Sequence, residues 1–141
     1  MSRTANRRIL VAGLTMIVLA SSTFGRQQPQ PLKKPVPKVI QLNPRGQDYL
    51  RVLAGPPETS TMRSGLVALA PHKSVGKHST EKYEELVIIL EGQAEMKITG
   101  GERLRLGKGF AAYCPPHTEH DVLNVGTETL RYIYVVAEAK M

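Results

Sequence analysis

From residue 36 onward the chain is cut by glycine, proline and asparagine into runs too short for ordinary helices and of the right length for strands. "VPKVIQL", "DYLRVLAG", "GLVALAP", "ELVIILEG", "QAEMKITG", "ERLRLG", "GFAAYCPP", "HDVLNVG" and "TLRYIYVVAE" are rich in Val, Ile, Leu and Tyr and end at turn formers. None carries a long stripe at the 3.6-residue helical period. In "TETLRYIYV", Leu130, Tyr132 and Tyr134 alternate with Arg131, Ile133 and Val135, the period of a strand with two unlike faces. "EGQ" and "GGE" are tight-turn chemistry expected to join neighbouring strands as hairpins. Eight or nine short strands within one small domain predict an all-β fold, a mostly antiparallel barrel or jelly roll, with immunoglobulin-like sandwiches in the same class.

Charge separates the domain from what precedes it. All but one unit of the formal net charge of +7 belongs to the first 35 residues, where Arg3, Arg7, Arg8, Arg26, Lys33 and Lys34 stand without an acid. The remainder is nearly neutral and has no Trp, so it offers neither a basic surface nor a stacking platform for nucleic acid. "MSRTANRRIL" followed by the apolar Ile9 to Ala20 reads as a signal peptide over residues 1–25, too short for a comfortable bilayer span. Arg7 and Arg8 ahead of Ile9 also fit the twin-arginine pattern, which exports folded proteins. Residues 26–38, "RQQPQPLKKPVPK", read as a tether, leaving residues 39–141 as the domain. The expected location is periplasmic or secreted, with no membrane span once the leader is cleaved. Cys114 is the only cysteine, so no disulfide forms within the chain and stability must come from the core.

Two stretches carry the chemistry. In "GKHSTEKYEELVIILEG", His78 and Glu85 flank a short loop and Gly92 stands six residues beyond Glu85. In "GKGFAAYCPPHTEHDVLN", Gly109 is followed by Pro115, His120 and Asn124. These spacings resemble the paired motifs of the cupin family, the second of them at every interval, and the resemblance covers residues 36–141. Two departures matter. Thr80 stands where the family pattern has a second histidine, and His117 stands where it has the glycine after Pro115. The glycine ahead of the first histidine is also replaced, by the His72–Lys73 pair, with Gly76 nearer.

The resemblance implies a single-domain cupin barrel holding a divalent transition metal on His78, Glu85 and His120. Two imidazoles and one carboxylate suit Fe(II) or Mn(II), with Zn(II), Ni(II) and Cu(II) as competitors. Glu85 would point inward with Leu86, Ile88 and Leu90 opposite, although a one-residue slip would exchange it for Glu84. Thr80 reads as a residue that orients water or a ligand, and His117 as a loop residue able to replace the missing histidine. Cys114 reads as a small buried hydrophobe, Tyr132 and Tyr134 as core, and His72 and Asn124 as structural, Asn124 capping the turn into "VGTET". The family resemblance further implies a homodimer, with the run near "KVIQL" as its exposed edge. For function it implies a small-molecule metalloenzyme of oxygenase, isomerase or epimerase type. The alternative is a binding or sensing module for a sugar or small acid in the same cavity.

Overall fold

The computed structural model describes residues 34–43 and 46–139, and these contain nine strands and no helix. In chain order they are β1 (Tyr49–Ala54), β2 (Arg63–Leu69), β3 (His78–Ser79), β4 (Tyr83–Glu91), β5 (Gln93–Ile98), β6 (Arg103–Gly107), β7 (Ala111–Cys114), β8 (Glu119–Asn124) and β9 (Leu130–Glu138). Every pairing is antiparallel, in a five-stranded sheet ordered β1-β2-β9-β4-β7 and a four-stranded sheet ordered β3-β8-β5-β6. The all-β jelly roll read from the strand pattern is therefore the fold, as two sheets sharing one core rather than a closed ring of ladders. The leader at residues 1–25 and most of the tether lie outside the described residues.

Period-two alternation builds the core. Val87 and Ile89 of β4, Leu130 and Tyr132 of β9, and Ala112 and Cys114 of β7 meet Ala94 and Met96 of β5, Leu106 of β6 and Val122 of β8. Ile89, Met96 and Leu130 are the largest apolar side chains that are fully buried. Each contributes about 1.5–3 kcal/mol by leaving water. With Cys114 free and buried, this packing has no covalent help. On β4 the outward set is Leu86, Ile88 and Leu90, and Leu86 reaches solvent.

Two strand expectations are corrected. Residues 36–42 form no strand, and Val39 is 99% exposed. Pro35 and Pro37 cannot donate to a ladder, and Val36, Val39 and Leu42 of this run stay exposed. The edge proposed there for a second copy is therefore absent, and the edge strands are β1, β7, β3 and β6. "GGE" does join a hairpin, β5 to β6, but "EGQ" joins β4 to β5, which lie in different sheets. A register shift between Ile89 and Glu91 bends the end of β4. Gly92 follows at φ 83°, so close to β9 that a Cβ would lie 3.0 Å from both Leu130 Cα and the Thr129 carbonyl. That turn is a passage between sheets, and only glycine fits it.

Candidate metal centre

Three strands from two sheets deliver the donors. On β4 the inward face reads Glu85, Val87, Ile89, so burying the two aliphatics carries Glu85 inside and leaves Glu84 on the other face. On β8 the inward face reads His120, Val122, Asn124. The two-residue β3 pairs with β8 in a register that sets His78 directly opposite His120. One ligand atom from each of His78, Glu85 and His120 lies within 4.8 Å of the others. His120 Nε2 is 3.3 Å and His78 Nε2 3.8 Å from Glu85 Oε2, and the two imidazole centroids are 4.4 Å apart.

The polar atoms are arranged as a coordinating set would require. His78 Nδ1 lies 3.0 Å from the Gly76 carbonyl. As a donor there, it leaves the lone pair on Nε2, facing Glu85. His120 is wholly buried, and its Nε2 has no hydrogen-bond partner. Its one close polar contact is the Glu85 carboxylate at 3.3 Å, an ion-pair approach without a well-formed hydrogen bond, and a cation between the three side chains would engage both groups. The residues present therefore fit a divalent transition metal.

Without a metal the cluster is an ion pair with an extra proton. Burial alone would raise the Glu85 pKa, but the imidazoles of His120 and His78 beside it overcome this and hold it at about 2, against an ordinary 4.5. Burial likewise pulls His120 down, and the neighbouring Cys114 thiol and Glu85 carboxylate overcome it, lifting His120 from 6.5 to about 10. Contact with Glu85 raises His78 as well. Glu85 therefore stabilises the fold above pH 4.5 and loses that effect as pH falls toward 2, whereas His120 stabilises it below 6.5 and loses that effect as pH rises toward 10. Chelator-treated protein should be most stable between about pH 4.5 and 6.5. Its melting temperature should fall on the alkaline side, and added metal, which needs deprotonated imidazoles, should restore it there. Thermal melts with and without chelator check this; a rise in metal-free stability between pH 7 and 9 would contradict the ion-pair account.

The other expected residues fall elsewhere. Thr80 is buried, its hydroxyl donating to the Pro115 carbonyl at 2.8 Å and accepting from the Thr118 amide at 2.9 Å, so it ties down the loop between β7 and β8. His117 is exposed on that loop and stays out of the cluster. Cys114 is buried against Met96. Asn124 does cap its turn, accepting from the Gly126 amide at 2.9 Å.

The histidines that replace motif glycines adopt glycine's backbone. His117 has φ 58° and His72 has φ 61°. A β-carbon is strained in that left-handed region. His117→Gly keeps the amide that donates to the Glu81 carbonyl and should raise stability by about 0.5–1 kcal/mol. Urea unfolding reads the change, and a loss would show that the imidazole makes a compensating contact.

Beside the cluster opens a cavity of about 520 Å³, lined by His78, Thr80 and Glu85 together with Tyr49, Tyr83, Tyr132, Tyr134 and several valines. For Tyr132 and Tyr134 the inward parity of β9 was the available signal. Tyr49 and Tyr83 open their strands without flanking periodicity, and nothing local marked them as lining residues.

The family whose description is "Cupin domain" matches residues 65–136. No curated protein matches the chain. Among solved structures it is similar to a Cupin 2 conserved barrel domain protein from Salinispora arenicola CNS-205, at 24% identity and TM-score 0.60, over 74% of this chain and 91% of that one. The protein TT1209 from Thermus thermophilus aligns at 25% identity and TM-score 0.57, over 70% and 90% of the two chains. The Cnp3 cupin domain of Schizosaccharomyces pombe aligns at 18% identity and TM-score 0.58, and the chain spans 64% of its length.

Proposed function

The chain belongs to the cupin family, and from that premise we propose an exported protein that holds a divalent transition metal on His78, Glu85 and His120 and presents it to a small molecule in the adjoining cavity. The observation that carries this reading is the buried Nε2 of His120, which makes no hydrogen bond and faces the Glu85 carboxylate across 3.3 Å. Fe(II) and Mn(II) suit the two-imidazole, one-carboxylate set best, and Zn(II), Ni(II) and Cu(II) compete for it. A bound metal would supply Lewis acidity or oxygen activation, the chemistry of an oxygenase, isomerase or epimerase.

The chain's own residues do the rest. Gly76 orients the His78 ring, Glu85 brings the negative charge, and Thr80 anchors the loop that runs into His120. Burial of Glu85 and His120 beside this apolar lining lowers the local dielectric and strengthens the charge interaction between them. Metal analysis of protein recovered from its export route should find a transition metal in roughly equimolar amount. Oxygen uptake with candidate substrates then separates a metalloenzyme from a binding module. Failure to bind any of the five metals in neutral buffer would end the metal reading.

A further inference from the structure

The cavity has a composition that points to its occupant. Four of the chain's five tyrosines, Tyr49, Tyr83, Tyr132 and Tyr134, line it. Away from the metal donors the remaining lining is chiefly valine, the Thr80 hydroxyl donates to the Pro115 carbonyl, and the Ser79 oxygen accepts from the Glu81 amide. A sugar buried here would leave several hydroxyls without partners, at a cost for each. A flat apolar ring would lose nothing polar and gain contact with aromatic faces.

Two of the four tyrosine hydroxyls are joined to each other. The hydroxyls of Tyr49 and Tyr134 lie 2.9 Å apart. Two phenols in one hydrogen bond use a single O–H, so the second remains free to donate to a ligand. Both rings rest on the same spot of β2. Gly65 pairs with Tyr134 in the β2–β9 register, and a Cβ on Gly65 would lie 2.7 Å from Tyr134 Cε1 and 2.7 Å from Tyr49 Cε2. Gly65 is not among the positive-φ glycines, so its lack of a side chain serves space rather than backbone conformation.

From this arrangement we infer that the cavity takes a planar aromatic molecule with an oxygen at each end, one directed at the metal donors and the other at the Tyr49–Tyr134 hydroxyl pair, which Gly65 holds in place as a positioning residue. The orientation of that molecule rests on the metal reading above; the tyrosine end does not. The cavity volume of about 520 Å³ accommodates a single substituted ring.

The test titrates the mature chain, loaded with Zn(II) because it is spectroscopically silent, with 4-hydroxybenzoate and separately with glucose. The protein has no Trp, so its ultraviolet emission comes from tyrosine, and four of the five tyrosines line the cavity. The aromatic probe should bind and change that emission, and glucose should not. Gly65→Ala pushes both rings inward and should raise the probe Kd roughly tenfold or more. Tyr134→Phe removes one hydroxyl and should raise it about five- to tenfold. Zinc affinity should be unchanged in both variants, a split that a general structural defect would not produce. If Gly65→Ala does not fold, Tyr134→Phe decides alone. Glucose binding as tightly as the aromatic probe, no probe binding to zinc-loaded protein, or parental probe affinity in the folded variants would each overturn the inference. A chain that binds no zinc yet binds the probe, with Tyr134→Phe weakening it, would remove the metal reading and support the tyrosine end.

Discussion

His120→Ala should lose most of the metal affinity, a fall well beyond the roughly 10- to 100-fold that changes around a ligand usually cause. Its Nε2 is the one donor of the three that is both wholly buried and without another partner. His117 cannot take its place, since it remains outside the group of donors, and the neighbouring Cys114 thiol is engaged with Met96. The variant also leaves the buried Glu85 carboxylate with only the half-exposed His78 as an imidazole partner, so the metal-free protein should lose stability too. The two effects separate experimentally. Competition against a chelating dye gives the affinity, and circular dichroism on the same sample confirms that the variant is folded. Parental affinity in folded His120→Ala would remove the metal centre as drawn. Thr80→Val provides the contrast. Its hydroxyl serves the Pro115 carbonyl and the Thr118 amide, so losing it should cost stability first and affinity only through the loop it holds.

The largest loss of stability is expected from Asn124→Ala. Asn124 is wholly buried, and its amide donates to the carbonyls of Leu69 at 2.9 Å and Glu128 at 2.8 Å while its oxygen accepts from the Gly126 amide. The end of β2, the end of β8 and the turn into β9 are thereby tied by one side chain. Alanine would remove all three bonds and leave their backbone partners facing a small buried gap. At about 1–3 kcal/mol for each buried group left unmatched, the loss should be about 3 kcal/mol or more, lowering the melting temperature by roughly 10 °C or more. Urea unfolding would measure it, and a cost under about 1 kcal/mol would mean that solvent reaches the site. Metal affinity should survive in the folded protein, because Asn124 touches none of the donors.

Much of this architecture could be read locally. Short runs ending at Gly, Pro and Asn announced strands, because a segment that short stabilises itself better by pairing than by coiling. Motif spacing marked His120, and parity along β4 left Glu85 and Glu84 as the two choices for the inward carboxylate, because successive side chains of a strand point to opposite sides; the structure buries Glu85 and His120. The same logic failed wherever pairing was decided at a distance. "KVIQL" has strand composition but no neighbour to pair with, and "EGQ" has hairpin composition but sends the chain into the other sheet. His78 lies in a two-residue strand with no periodicity of its own, and its register opposite His120, 42 positions along the chain, exists only once β8 is present. Tyr49 and Tyr134 meet across 85 positions over the bare backbone of Gly65. Side-chain parity is a property of neighbours in sequence, whereas backbone ladders accept almost any partner. Which strands pair, and so which side chains share a cavity, follows from burying all the apolar faces at once.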